Sequence, residues 1–219
     1  MYLPTFQNLP GQRKEEILDV CLTEFALHDY QTASVSRIVR DLGIAKGSFY
    51  RYFKSKKDLY SYLVYYTTEL RMEHVNELFE SQDGDFFTLF EEHIAMVMRF
   101  DLRYPLHSRF LHNTMQERNT DQPVNLSLQA KEMMLELLTP VLEKCRQRRI
   151  VRKDIDTTIL AYTIAQVQMG VFDFLSIRYK LDSGKCVNDK QSSLQVPEKE
   201  ILHIAKGFSK VLKHGLGEV

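Results

Sequence analysis

Helical spacing of apolar residues is the feature that most constrains how this 219-residue chain can fold. With 9 Gly and 6 Pro and no neighbouring segments that alternate like paired strands, the sequence disfavours a β-rich fold. The first helix is predicted from one apolar stripe, formed by Ile17, Leu18, Cys21, Leu22 and Phe25. The pattern predicts an all-α fold of about nine helices. The others are expected at residues 35–42, 46–53, 58–80, 85–101, 106–117, 124–148, 154–181 and 197–214.

Two short helices separated by Gly43 predict a helix-turn-helix unit in the N-terminal part of the chain. Ser34 is placed to cap the first of them, and Gly43 ends it. In such a unit the second helix enters the major groove of DNA while the first braces it. Phe49 and Phe53 lie four residues apart and should form the buried seam of the second helix. Its exposed side then offers Lys46, Ser48, Tyr50 and Arg51.

Positive charge is concentrated in the same segment of an otherwise balanced protein. Formal net charge is zero, yet residues 30–60 hold seven basic residues against two acidic ones. Such a local basic patch suits contact with nucleic acid, although an ordinary solvated surface is the alternative. The basic residues are Arg37, Arg40, Lys46, Arg51, Lys54, Lys56 and Lys57.

The residue types on and beside the second helix fit separate tasks in DNA binding. Lys46 and Lys56 can neutralise phosphates, and Gly47 lets the backbone approach a phosphate closely at a helix start. The alternative is that the tyrosines are half-buried packing and the lysines ordinary surface. Side chains suited to phosphates or base edges are Ser48, Tyr50, Arg51 and Tyr52.

The segment that begins at Ser34 closely resembles the DNA-binding signature of the TetR/AcrR family of transcriptional regulators. It reads SVSRIVRDLGIAKGSFYRYFKSKKDL, and residues 13–25 resemble the family's first helix. The resemblance implies a helix-turn-helix domain over 1–60 and a helical ligand-binding and dimerisation domain over 61–219. Departures occur at Val39, Leu42 and Ala45. The implied DNA contacts are Ser34, Lys46, Gly47, Ser48, Tyr50, Tyr52 and Lys56, to which the helix surface adds Arg51.

Aromatic and methionine-rich helices follow, and the resemblance implies that they enclose a cavity for a small, mainly hydrophobic effector. An ordinary apolar core is the alternative. Polar anchors are expected at His93, His112, Tyr162, Gln166 and Gln168. The apolar lining is expected from Phe90, Met96, Phe100, Phe110, Met133, Leu137 and Phe172.

The last two long helices carry more apolar surface than one chain needs. The segment 157–180 is apolar nearly all round, and 197–214 has a continuous apolar stripe. The resemblance implies that these helices pair with their copies in a homodimer, which in turn implies a palindromic double-stranded DNA operator. A monomer that buries both helices internally is the alternative.

Several other classes are disfavoured by the sequence. No metal-ligand spacing, Gly-rich phosphate loop or catalytic carboxylate pair is evident, so we expect no enzyme activity, metal or cofactor. Three scattered cysteines and the absence of a signal-like N-terminus indicate a cytoplasmic protein. The apolar stretch 159–177 is interrupted by Gln166, Gln168 and Asp173, which argues against a membrane span. The family resemblance implies a repressor that is released from DNA by its effector; the alternative is a helical adaptor that does not bind DNA.

Overall fold

The computed structural model describes residues 3–75, 85–116, 126–179 and 196–216. Those residues form eleven helices and no β-strand, which confirms the predicted all-α fold. The helices are α1 (Pro4–Gln7), α2 (Gly11–Leu27), α3 (Val35–Asp41), α4 (Lys46–Tyr50), α5 (Lys56–His74), α6 (Phe86–Arg103), α7 (Pro105–Gln116), α8 (Leu126–Gln147), α9 (Thr157–Met169), α10 (Val171–Tyr179) and α11 (Glu198–Leu216).

The helix count differs from the nine predicted at two places. Helix α1 is additional, and its start at Pro4 fits the preset backbone angle of proline in a first helical turn. The single helix predicted over 154–181 is instead two helices. The helix is interrupted at Gly170, which is the C-cap residue of α9. The sequence also predicts loops around 82–85 and over 182–196, and these lie almost wholly outside the described residues.

The chain divides into two compact units, the first of which contains Met1–Arg71 and Pro105–Leu126. Its core is aromatic. Phe25 and Phe110 each contact the ring of Tyr60, whose hydroxyl donates a hydrogen bond to Thr114 Oγ1 over 3.0 Å. Helix α7 therefore packs with the N-terminal helices within this unit. The functional division at residue 60 stays a prediction.

The second unit includes Met72–Tyr104, Ser127–Leu181 and Ser192–Val219. Helix α6 lies at its centre and packs against α10 and α11. The hydroxyl of Ser209 on α11 donates to the carbonyl of Phe87 on α6 over 2.7 Å, and Arg99 pairs with Glu198 at the start of α11. Apolar burial and these two polar contacts together fix α11 along α6.

Helices α9 and α10 form the one segment of the described residues that is long and apolar enough to cross a membrane, with a mean hydropathy of 1.2 over its best window. Core helices of soluble proteins have the same length and composition. Only 39% of that window is buried. The segment therefore presents apolar side chains on the outside of its unit.

The imidazole of His107 makes the stability of the first unit sensitive to acid. Burial lowers the pKa of His107 to about 4, whereas the unfolded chain titrates near 6.5. Because the folded pKa is the lower one, stability is present above pH 6.5 and is lost as the pH falls toward 4. We expect this group to lower the free energy of unfolding by at most about 2 kcal/mol between pH 7 and pH 5.

Urea unfolding at the two pH values measures this effect. His107→Gln should reduce the difference between pH 7 and pH 5, while the exposed His203→Gln should behave as the parent protein. An unchanged pH dependence in His107→Gln would show that His107 is not its source.

Candidate DNA-binding surface

A glycine in the left-handed region sets the turn between α3 and α4. Gly43 has φ of 64°, a conformation that costs other residues free energy because of the clash of Cβ with the backbone. The N–H of Ile44 then donates to the carbonyl of Val39 over 3.0 Å, and this bond closes the end of α3. The predicted helix stop at Gly43 is confirmed, and it defines the direction in which α4 begins.

The predicted burial of Phe49 and Phe53 is confirmed, but the helix predicted over 46–53 ends at Tyr50, so Phe53 lies beyond the end of α4. Phe49 and Phe53 are 1% and 0% exposed, and their ring centroids lie 5.8 Å apart. The N-terminal helix α1 contributes to the same cluster, because the ring of Phe6 lies 4.9 Å from that of Phe53 and the N–H of Leu3 donates to the carbonyl of Tyr52 over 2.9 Å. Sequence analysis missed this support for α4; the Pro4 helix start followed by Phe6 was its only signal.

Burial of the seam turns the other side of α4 outward. Lys46, Gly47 and Arg51 are exposed, and Tyr50 is 45% exposed. A Cβ added at Gly47 would meet no atom of the protein within 4 Å, so packing does not require glycine at this position. Half-buried side chains at the border of this face are Ser48 and Tyr52.

Ser34 precedes α3 but does not cap it as predicted. Its side chain makes no capping hydrogen bond, so the predicted role of the hydroxyl as a cap is wrong. Its backbone N–H instead donates to Glu24 Oε1 over 2.6 Å. Ser34 is thus held in place through its backbone, at the N-terminus of the bracing helix.

The same glutamate forms a charged pair that the sequence did not reveal. The carboxylate of Glu24 on α2 is 7% exposed and accepts from Nη2 and Nε of Arg37 over 2.6 and 2.9 Å. Nη2 of Arg37 also donates to the carbonyl of Thr32 over 2.7 Å. One of the seven basic residues is therefore paired inside the unit.

Lys56 also points to the protein's own backbone. Its ammonium donates to the carbonyls of Tyr30, Gln31 and Ala33 over 2.7, 3.2 and 3.1 Å, and it lies 4.7 Å from the ring centroid of Tyr30. Contact of Lys56 with a phosphate stays a prediction. The exposed basic side chains of the segment are Arg40, Lys46, Arg51, Lys54 and Lys57, of which Arg40 pairs with Asp41 at the surface.

The side chains predicted to bind an effector do not all fall in one unit. Phe110 and His112 belong to the first unit, where Phe110 packs against Phe25 and Tyr60. In the second unit Phe90, His93, Phe100 and Phe172 are buried, and Met96, Leu137 and Gln168 are half-buried. Exposed positions are Met133, Tyr162 and Gln166.

The four candidates on α6 lie on one helix face, at residues 90, 93, 96 and 100. They are the largest group of predicted effector residues on one helix; Tyr162, Gln166 and Gln168 share α9. Within the described ranges, no three His, Cys, Asp or Glu side chains are grouped as ligands of a metal ion would be.

Comparisons with known proteins agree with this architecture. The family model for bacterial regulatory proteins of the tetR family matches residues 17–63. A TetR family transcriptional regulator from Chloroflexus aurantiacus J-10-FL has a TM-score of 0.81 at 23% identity, with 99% of this chain and 98% of that chain covered. The ketosteroid transcriptional regulator of Mycobacterium tuberculosis gives 0.68 at 13% identity, with 96% and 98% covered. The fatty acid degradation regulator of Bacillus halodurans gives 0.57 at 19% identity, with 88% and 97% covered. No curated protein sequence matches the chain.

The fold is all-α with an N-terminal helix-turn-helix unit, and it is similar to the folds of these solved regulators. Residues 17–63, which include α3 and α4, match the family model for bacterial regulatory proteins of the tetR family. The resemblance seen in the sequence is thus confirmed by the family match and by the fold.

The Glu24–Arg37 pair should be worth more to stability than the surface pairs of the same unit. Glu24→Gln replaces a buried carboxylate that accepts charge-assisted bonds, and we expect it to lower the free energy of unfolding by about 1–3 kcal/mol. Glu16→Gln is the matched control, because Glu16 pairs with Arg13 at the surface and such pairs contribute below about 1 kcal/mol. Chemical unfolding measures the free energy of unfolding of both variants. An equal decrease in the two would contradict the structural role of Glu24.

Proposed function

We propose that this protein is a non-enzymatic transcriptional regulator that binds a specific DNA operator in the cytoplasm through α4. The observation that carries the proposal is the exposed basic face of α4, seated on Phe49 and Phe53 within a segment that matches the tetR family. A helix presented in this way suits insertion into the major groove.

The proposed contacts divide by chemistry. Lys46 neutralises a phosphate, and the backbone at Gly47 approaches one at the start of α4. Arg51 reaches a base edge, since a guanidinium can donate two bonds to guanine. Hydroxyl groups that donate to phosphates or bases are supplied by Ser34, Ser48, Tyr50 and Tyr52.

Gly47→Ala and Lys46→Ala test the proposal, because each should weaken DNA binding for a different physical reason. Alanine at residue 47 meets no steric obstacle in the protein and should raise the free energy of unfolding by about 0.5–1 kcal/mol, yet weaken operator binding because its methyl group obstructs the phosphate. Lys46→Ala should weaken binding on all sequences and reduce the slope of log affinity against log salt by about one. Fluorescence anisotropy on DNA from beside the protein's own gene, with scrambled DNA as reference, measures the binding of both variants. Chemical unfolding measures the stability of Gly47→Ala.

The rival adaptor hypothesis makes the contrary prediction. An adaptor that keeps the helix-turn-helix fold without binding DNA would show the stability gain of Gly47→Ala with no selective binding in any variant. Equal affinity for operator and scrambled DNA in the parent protein would sink the proposed function.

We further propose that the protein is a homodimer formed through α9, α10 and α11. These helices leave large apolar side chains exposed, with Ile177 at 80% and Val211 at 73%. Ile159, Tyr162 and Leu202 extend the same kind of surface. A second copy would cover these side chains, and two-fold symmetry would give the operator two half-sites.

Charge placed on this surface should separate the protomers. Val211→Lys and Ile177→Lys bring an ammonium into a contact that cannot pair it, so we expect the mass in solution to fall from a dimer toward the 25.7 kDa protomer. Leu128→Lys on α8 is the control, since it changes an exposed leucine of comparable size outside the proposed interface. Light scattering after gel filtration gives the mass; a dimer that persists in both variants would refute this interface.

The proposed sense of regulation is repression, relieved by a small hydrophobic effector. Support comes from the face of α6 that holds Phe90, His93, Met96 and Phe100, and from similar folds whose names refer to ketosteroids and fatty acids. An effector that prefers a dimer with a different spacing of the two α4 helices would shift the population away from the DNA-bound state. Unchanged operator affinity in the presence of a ligand shown to bind this protein would refute the mechanism.

A further inference from the structure

We infer that Lys56 serves DNA binding as a positioning residue, whose ammonium clamps the turn 29–34, and not as a phosphate ligand; the inference rests on the proposed function. The turn joins α2 to α3 and ends at Ser34, one of the proposed DNA contacts. Lys56 follows α4 and begins α5. The Lys56 side chain therefore links the turn before α3 to the segment that follows α4.

The hydrogen-bonding capacity of Lys56 is already used by this turn. A lysine ammonium has three N–H donors and no acceptor. Three backbone carbonyls, those of Tyr30, Gln31 and Ala33, lie 2.7, 3.2 and 3.1 Å from Nζ. The ring of Tyr30 adds a cation–π contact at 4.7 Å. A phosphate could accept a hydrogen bond from this ammonium only if it displaced one of these carbonyls.

Other side chains bind polar groups of Thr32 and Ser34 in the same turn. The carboxylate of Asp29 accepts from the N–H and hydroxyl of Thr32 over 2.7 and 2.5 Å, contacts that hold the pKa of Asp29 below its usual value. Arg37 donates to the carbonyl of Thr32, and the N–H of Ser34 donates to Glu24. Removal of the Lys56 ammonium thus takes a donor from three carbonyls at once.

The position of Lys56 in α5 supports the same conclusion. It is the first residue of the helix, where the helix dipole disfavours a cation and favours an anion such as Asp58 in the same turn. The carbonyls of the turn offset this cost, because they surround the ammonium with partial negative charge. The neighbouring Lys57 is exposed, which makes it a matched control.

Two measurements on full-length Lys56→Met, Lys56→Arg, Lys57→Met and Lys46→Met test the inference. The first is hydrogen exchange of the peptide containing residues 28–36 in the protein without DNA. The second is operator affinity across a salt series. Arginine keeps the charge, but its planar fork cannot direct three donors at carbonyls that converge on one point. Lys56→Arg therefore separates charge from geometry, even if Lys56→Met is too unstable to use.

We expect both Lys56 variants to exchange at least about tenfold faster in this peptide and to bind the operator about tenfold more weakly, a change of roughly 1.4 kcal/mol. The salt slope should stay that of the parent protein, whereas Lys46→Met lowers it by about one. Lys57→Met should leave the exchange of the peptide unchanged.

Two results would overturn the inference. Unchanged exchange in both Lys56 variants would show that there is no clamp, whatever the DNA does. Full affinity in Lys56→Arg, together with a salt slope lowered by about one in Lys56→Met, would make Lys56 a phosphate ligand. Accelerated exchange with no selective DNA binding by the parent protein would refute the proposed function instead, and would leave the clamp as a purely structural device.

Discussion

Helix α4 has five residues, too few to be helical in isolation because helix nucleation is unfavourable. Its existence therefore depends on the burial of Phe49 and Phe53 against the aromatic cluster of the first unit. Phe6 on α1 and Tyr62 on α5 contact the ring of Phe53, so both helices help to hold the segment that contains α4. The exposed face of α4 follows from this burial, since a short helix held by one face must present the other.

Charge in the N-terminal unit has two separate uses. Of the basic residues between 30 and 60, Arg37 binds the buried Glu24, and Lys56 binds backbone carbonyls. Both act on the turn before α3, and neither depends on an external anion. The exposed lysines and arginines remain to provide an electrostatic attraction that is sequence-independent and sensitive to salt. A count of charges in the sequence thus overstates the positive surface available to DNA.

Local sequence patterns predicted much of the fold and the exposed face of α4. Gly43 and the spacing of Phe49 and Phe53 are local signals, and both predictions were confirmed. Interactions between distant positions were missed: Glu24 and Arg37 are 13 residues apart, and Lys56 reaches back 26 residues to Tyr30. Helical spacing states which side chains share a face but not what that face packs against. The sequence therefore could not show that Phe110, a member of the predicted effector set, packs in the aromatic core of the first unit.

The open space beside Gly47 makes it possible to separate what folding requires of this residue from what binding requires of it. A Cβ atom at this position would meet no neighbouring atom within 4 Å. A steric requirement for glycine at this position would therefore come from a molecule that approaches α4 from outside. The range of residues tolerated for folding, compared with the range tolerated for binding, would therefore report how closely a partner's surface comes to the protein backbone.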